Sequence, residues 1–212
     1  MTDTVSFTEG KILGPLMKFA VPVILALVLQ SLYGAVDLLV VGQYASSADV
    51  SAVATGSQVM NTITSFIAGL SMGTTILLGH QIGEGKKEDA GRSVGTSVVF
   101  FVTVAAVIGT VLLFNIGNIV QLMKTPAEAY DATSAYIRVC SWGLIFIGLY
   151  NLIGSLFRGL GNSRIPLIAV AIAAVINIFG DLYMVAVLHM GAEGAAIATV
   201  ASQMISVIIS YV

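Results

Sequence analysis

Two aspartates lie inside long apolar stretches of this sequence, where a carboxylate is costly to keep. Asp37 occurs in LYGAVDLLVVG and Asp181 occurs in VINIFGDLYMVAVL. A carboxylate at membrane depth is rarely retained without a partner or a task. Asn177 precedes Asp181 by four residues and so shares its helix face, and Thr199 follows in the next apolar stretch. Together these four side chains offer carboxylate, amide and hydroxyl oxygens.

The depths of these residues agree if each stretch is a membrane-crossing helix. With a rise of about 1.5 Å per residue, Asp37 lies roughly 6 Å inside the membrane boundary, and Asp181 and Thr199 each lie roughly 10 Å inside it. Clustered carboxylates in a low dielectric favour uptake of a proton or a small hard cation such as Na⁺, and these oxygen types are suitable ligands. The set therefore predicts a coupling-cation site. The alternative is a set of structural hydrogen bonds between helices.

The composition of the chain indicates whether these residues belong to a soluble protein or to a membrane protein. Of the 212 residues, 57% are hydrophobic and only 9% are charged, whereas about 25% charged residues are usual in soluble proteins. So few charges cannot cover the surface of a soluble domain of this size. The apolar content excludes a disordered chain, and the lack of a basic excess argues against nucleic-acid binding. The chain is predicted to be an integral membrane protein.

Six apolar runs are long enough to cross a bilayer, which takes about 20 residues each. The linkers between them are too short to separate soluble domains. The sequence therefore predicts an all-α polytopic membrane protein, a six-transmembrane-helix bundle in one unit of residues 1–212. The predicted spans are 16–41, 50–81, 94–113, 130–156, 165–188 and 192–212.

The distribution of lysine and arginine predicts the orientation of the bundle, because these residues are enriched in cytoplasmic loops. One side of the membrane receives Lys11, Lys18, Lys86, Lys87, Arg92, Arg158 and Arg164, and the other side receives only Lys124 and Arg138. We therefore expect a cytoplasmic N-terminus and a multi-pass protein integral to the plasma (inner) membrane.

Other residue types that carry chemistry give weaker signals. The single Cys140 excludes an internal disulfide framework and a cysteine-rich metal site, and neither His80 nor His189 has a second ligand at metal-binding spacing. The sequence has no nucleotide-binding glycine motif. We expect no cofactor, no catalytic residues and no metal beyond Na⁺ at the four-residue cluster, so the chain is not predicted to be an enzyme.

Several short segments, in their order and spacing, resemble one known family along nearly the whole chain. They are VDLLVVGQ and SAVATGSQV around the first outer loop, GHQIGEGKKEDAGR after the second run, FRGLGNSRIP after the fourth and GAEGAAIATVASQ at the start of the sixth. By these segments the sequence resembles the multidrug and toxic compound extrusion (MATE) transporters, and among them the prokaryotic DNA-damage-inducible-type branch.

The resemblance implies an antiporter that exports organic, often cationic or amphipathic compounds in exchange for Na⁺ or H⁺ by alternating access. It implies twelve helices in two six-helix lobes, of which this chain matches the N-terminal lobe. The second lobe would come from the rest of the chain or from a second copy. The implied cation site consists of Asp37, Asn177, Asp181 and Thr199, with support from Tyr136 and Asn151. The expected partners are a small organic substrate and the lipid bilayer.

Two other functions fit parts of the sequence. A related flippase or exporter of lipid-linked precursors would share the architecture, but such proteins line the cavity with basic residues, and the spans here contain almost none apart from Arg138. An intramembrane aspartyl protease would also use two membrane carboxylates. Its Gly-x-Gly-Asp pattern is incomplete here, because Ile178, Phe179 and Gly180 precede Asp181.

Overall fold

Helices make up the fold in the described part of the chain. The computed structural model describes residues 13–210, so Lys11 and the end of the sixth apolar run lie outside the described residues. Within that range there is no strand, and the predicted all-α membrane architecture is confirmed. The helices are α1 (Leu13–Tyr44), α2 (Ser47–Gly83), α3 (Lys87–Leu122), α4 (Tyr130–Trp142), α5 (Leu144–Gly159), α6 (Arg164–Asp181) and α7 (Gly191–Ser210).

Five of these elements are individually long and apolar enough to cross a membrane. They are α1, α2, α3, α7, and α6 together with the turn that follows it. The sixth crossing requires α4 and α5 to be counted as one span, and these two helices meet at a bend of 55°. The helices α2 and α3 extend past the predicted spans 50–81 and 94–113, because polar residues continue the helices beyond their apolar middles.

The bend divides a run that the sequence predicts as one span, residues 130–156. At the bend lies Gly143, and the side chain of Val200 on α7 occupies the space that a Cβ on this glycine would need. Backbone hydrogen bonding continues past the bend, because Gly143 N–H donates to Val139 O at 3.0 Å and Ile147 N–H donates to Gly143 O at 3.1 Å. The absence of a side chain at Gly143 thus lets α7 approach the junction closely.

The crossing that contains α6 changes its hydrogen-bonding pattern immediately after Asp181. Leu182–Val187 form a π-helical turn, a geometry that is rare and frequently found at functional sites. The sequence predicts one regular span over 165–188, whereas the structure has an α-helix as far as Asp181 and a wider turn beyond it. Asp181 therefore stands at a change of helix geometry within this crossing.

One carboxylate joins the N-termini of α2 and α7. Ser46 and Asp49 form a capping box at the start of α2, in which Ser46 N–H and its hydroxyl donate to Asp49 Oδ2 at 3.1 and 2.6 Å. The other oxygen, Asp49 Oδ1, accepts a hydrogen bond from Ala192 N–H at 3.0 Å. The neighbouring Gly191 has a φ of +55°. We call this contact the outer latch, because it lies at the end of the bundle that is predicted to face outward.

A polar seam joins α2 to α5 near the opposite end. Ser155 Oγ donates to Ser71 Oγ at 2.9 Å, and Thr75 Oγ1 donates to Ser155 O at 2.9 Å. Arg158 Nη2 donates to Ser155 Oγ at 2.8 Å. A Cβ on Gly159 would lie 2.9 Å from Thr75 O, so this glycine permits close contact between the two helices. Such small and hydroxyl-bearing residues are a common means of joining helices in a membrane.

Candidate cation site and central cavity

The two intramembrane aspartates meet in the interior of the bundle. Asp37 on α1 is 6% exposed, and Asp181 at the end of α6 is fully buried. Their carboxyl groups are near enough to interact electrostatically, and neither Asp181 oxygen has a hydrogen-bond partner within the described residues. The helices α1 and α6 bring them together because they pack against each other along their length. Residues that are 144 positions apart in sequence thus form one pair of facing acids.

Asn177 and Thr199 extend this pair toward α7. Asn177 lies one helical turn before Asp181 and is fully buried, and its Nδ2 donates to Thr199 Oγ1 at 3.3 Å. Thr199 is partly buried on α7. The structure therefore brings the four predicted residues to one region where α1, α6 and α7 converge. We call this region the acidic cluster.

Most of the oxygen atoms in the acidic cluster have no hydrogen-bond partner within the described residues. The unpartnered atoms are Asp37 Oδ1, Asn177 Oδ1, Asp181 Oδ1 and Asp181 Oδ2. A buried polar atom without a partner costs about 1–3 kcal/mol, and more if it is charged. A bound proton or hard cation would offset this cost, because all four atoms are oxygen acceptors. Residues 13–210 contain no group of three or more His, Cys, Asp or Glu side chains suited to a metal ion.

The two supporting residues predicted from the sequence differ in their surroundings. Tyr136 on α4 is 3% exposed, and its ring packs against the backbone of Gly56 on α2, where a Cβ would overlap it. Asn151 on α5 is partly buried, and its Nδ2 donates to Ile147 O of its own helix at 2.8 Å. Tyr136 is also near enough to Asp37 and Asp181 to interact electrostatically with them, whereas the amide of Asn151 hydrogen-bonds to its own helix.

A central cavity of about 540 Å³ opens beside the acidic cluster. Its walls come from α1, α2, α4, α5 and α7, and they include Asp37, Thr199, Tyr136 and Asn151. The lining contains many neutral polar side chains, among them Gln30, Ser57, Asn61 and Thr64, and it contains no Lys or Arg. The cavity therefore presents acceptor oxygens and apolar surface, with the acidic pair at its margin.

Two lining residues of this cavity lie outside the set of site residues that was predicted from the sequence. Gln203 is buried on α7, and its Oε1 has no hydrogen-bond partner within the described residues. Tyr33 on α1 lies beside Gln203. Each stands four residues from a predicted site residue, Gln203 after Thr199 and Tyr33 before Asp37. Because residues four apart share a helix face, this spacing is the signal that would have found them.

Comparison with known protein families shows which family the chain matches. The family model MatE matches residues 22–183, which include α2 to α6 completely and the Asp37–Asp181 pair. This chain belongs to the MATE family. Family membership confirms the resemblance seen in the sequence segments, and together with the apolar helices it makes the chain an integral membrane protein.

Curated relatives of this MATE chain carry names that refer to drug resistance. It is 30% identical over 197 residues to the "Probable multidrug resistance protein YpnP" of Bacillus subtilis (strain 168), covering 93% of this chain and 44% of that protein. It is 29% identical over 203 residues to the "Probable multidrug resistance protein NorM" of Thermotoga maritima, covering 93% of this chain and 43% of that protein. The chain thus spans somewhat under half the length of these relatives.

Solved structures share the fold of this MATE chain. One is a multidrug resistance MATE family transporter of the MOP superfamily in an outward-facing conformation, with a TM-score of 0.91 at 24% identity. Another is a MATE protein in the straight conformation, with a TM-score of 0.90 at 25% identity. Each match covers 99% of this chain and 46% of the other.

Proposed function

We propose that this chain is the N-terminal lobe of a cation-coupled antiporter that exports organic, often cationic or amphipathic compounds. The observation that carries the proposal is the acidic cluster, in which buried acceptor oxygens from α1 and α6 lack partners beside a central cavity. Membership in the MATE family supports transport as the function class. The names of the curated relatives support drug-like substrates.

The coupling step would act through the contacts of α1, α6 and α7. Without a bound cation, Asp37 and Asp181 repel each other, so α1 and α6 are pushed apart where the two acids face. A proton or Na⁺ at Asp37, Asn177, Asp181 and Thr199 would remove that repulsion and draw the helices together. Since α1 and α7 also line the cavity, such a change would alter its shape. Ion occupancy and substrate affinity would then be linked in the way that antiport requires.

The second lobe is part of this proposal. The central cavity of about 540 Å³ is lined by this lobe alone, and a second lobe would supply a partner surface that encloses a bound substrate. The rest of a longer chain would supply this surface, since the curated relatives are more than twice as long as the matched region. Expression of residues 1–212 alone and with the complementary half would test this. Efflux by residues 1–212 alone would refute the proposal that a second lobe is required.

The experiment that tests ion coupling is drug efflux from cells that express the complete gene with Asp37→Asn or Asp181→Asn. We expect both variants to reach the membrane and to lose efflux, because each replaces a carboxylate with a neutral amide and so removes the negative charge that would attract the cation. Asp89→Asn is the matched control, since Asp89 is an exposed acid in the first turn of α3. Efflux at the wild-type level in both cluster variants would refute the coupling site. The same assay with and without Na⁺, and with a collapsed proton gradient, would identify the ion.

The proposed orientation places the N-terminus and the α2–α3 loop in the cytoplasm. Glu84 lies in that loop and Glu193 lies at the start of α7, and both are exposed. With cysteines introduced at these two positions, a membrane-impermeant thiol reagent added outside the cell should label Glu193→Cys and not Glu84→Cys. The native Cys140 is buried, so it should give little background. Labelling of the loop position alone would reverse the orientation.

The alternatives receive less support. A flippase of lipid-linked precursors would need basic residues in the cavity to hold phosphates, and the lining of this cavity has none. The facing pair of aspartates is also what a protease would use, but the chain belongs to a transporter family. Efflux that survives in the paired Asp→Asn variants, together with loss of a cleavage product, would favour the protease.

A further inference from the structure

A second groove lies between α3 and α4, on a different side of the bundle from the central cavity. Its volume is about 640 Å³, and it shares no lining residue with the central cavity. Within the described residues, α3 contacts α2, α4 and α5 but not α1, α6 or α7. The large side chains at its edges are highly exposed, Phe114 at 85% and Trp142 at 72%. This surface has the character of a lipid-facing groove.

The groove contains an arginine that has no protein partner. Arg138 is exposed on α4, and within residues 13–210 it makes no hydrogen bond and no ion pair. It lies eight residues into α4, which places its Cα roughly 12 Å along the helix from Tyr130. A cation at this depth on a lipid-facing surface is costly unless it reaches a polar group. Side chains of a helix lean toward its N-terminus, so we expect the guanidinium of Arg138 to lie on the Tyr130 side of its Cα, toward the membrane surface.

Two more polar residues line the groove between Arg138 and the N-terminal end of α4, and we call this end the mouth of the groove. Asp131 is exposed at the start of α4, seven residues before Arg138 and on the same helix face. Ser134 lies between them, and its Oγ is buried without a hydrogen-bond partner in the described part of the chain. The groove thus has a cation at its deeper end, a free hydroxyl in the middle and a carboxylate at its mouth.

We propose that this groove binds a phospholipid with an ethanolamine headgroup. In a bilayer leaflet the phosphate lies deeper than the terminal ammonium, which matches the order of Arg138 and Asp131 along α4. Arginine pairs well with phosphate oxygens, and the ammonium N–H groups would donate to the Asp131 carboxylate. An anionic headgroup without an ammonium would meet repulsion at Asp131. The acyl chains would lie along Phe114 and Trp142.

Lipid retention by the complete gene product is the test of this inference, and it is independent of efflux. The protein is exchanged into detergent micelles that contain equal amounts of phosphatidylethanolamine and phosphatidylglycerol with identical acyl chains. Retained lipid is then measured by native mass spectrometry. We expect the wild type to prefer phosphatidylethanolamine, and Arg138→Gln to lower its retention at least about fivefold because a charge-assisted contact is lost. Asp131→Asn should shift the preference toward phosphatidylglycerol.

The matched control is Arg92→Gln, which removes an exposed arginine that pairs with Glu88 at 2.8 Å far from the groove. This control should retain lipid as the wild type does. Equal retention in Arg138→Gln and Arg92→Gln would overturn the proposal, and so would a wild-type preference for phosphatidylglycerol. If Arg138→Gln does not fold, the ratio of the two lipids on Asp131→Asn decides the question, because an unchanged ratio excludes the ammonium contact.

Discussion

The contribution of the outer latch to stability can be measured by comparing alanine substitutions at two glycines, one at the latch and one away from it. Gly191 and Gly85 both have positive φ angles, +55° and +75°. A Cβ on Gly191 would overlap the carboxyl group of Asp49, whereas a Cβ on Gly85 would meet nothing within 4 Å. Alanine at either position pays for the left-handed backbone, but only alanine at 191 also displaces Asp49. The difference in free energy of unfolding between Gly191→Ala and Gly85→Ala therefore gives the contribution of the outer latch.

The size of this difference follows from the contacts that Asp49 would lose. The left-handed backbone costs alanine about 1–2 kcal/mol at both positions, so this contribution cancels. A hydrogen bond to a charged group, such as that from Ala192 N–H, contributes about 1.5–3 kcal/mol, and loss of an N-cap costs about 0.5–2 kcal/mol. Because Asp49 is only partly buried, we take the lower end of both ranges. Gly191→Ala should then be less stable than Gly85→Ala by about 2 kcal/mol.

Thermal unfolding in detergent, followed by the loss of monodisperse protein, is the appropriate assay. For a cooperative unit of this length, about 2 kcal/mol corresponds to a difference in melting temperature of about 4–8 °C. The double variant Asp49→Ala with Gly191→Ala should lose little beyond Asp49→Ala alone, because the overlapped carboxyl group is already absent. Equal melting temperatures for the two glycine variants would show that the contact between Asp49 and the start of α7 adds no stability.

Two further predictions concern helix contacts. Gly56→Ala should lower stability by about 1–3 kcal/mol because its Cβ would overlap the buried ring of Tyr136. Gly69→Ala in the same helix, where nothing lies within 4 Å, should be neutral or stabilising, and equal effects in thermal unfolding would contradict this. Ser155→Ala removes the bond to Ser71, which should cost about 0.5–1.5 kcal/mol, and it also removes the acceptor of the bond from Arg158 Nη2. A double-mutant cycle with Ser71→Ala isolates the Ser155–Ser71 bond and should give a coupling energy of about 0.5–1.5 kcal/mol, and strict additivity would show that this bond contributes nothing.

The parts of the fold that could be predicted from the sequence are those that depend on composition and run length. Long apolar stretches have one solution in a bilayer, which is a helix, so the all-α architecture follows directly. Asp37 and Asp181 stand out for the same reason, because charged residues are rare at that depth. Their direct contact requires the packing of α1 against α6, which no local pattern specifies.

The features that could not be predicted depend on neighbours that are distant in sequence. The bend at Gly143 lies within a continuous apolar run, and the glycine matters only because Val200 from α7 fills the space beside it. The π-helical turn after Asp181 cannot be recognised from hydropathy, because its residues are as apolar as those of the α-helix before it. Gln203 is uncharged, so only its spacing of four residues from Thr199 marks it in the sequence, and the packing of α7 is what places that helix face in the central cavity.

The bent crossing also has a consequence for how the chain enters the membrane. At about 1.5 Å per residue, the 13 residues of α4 and the 16 residues of α5 span roughly 20 and 24 Å, and each falls short of the roughly 30 Å hydrocarbon core. Neither half is therefore long enough to cross the core by itself, so the crossing needs both. Because Val200 lies later in the sequence than either half, its contact beside Gly143 can form only after α7 has been synthesised. The length of this crossing thus comes from α4 and α5, whereas the close packing at the bend depends on a residue that is added to the chain later.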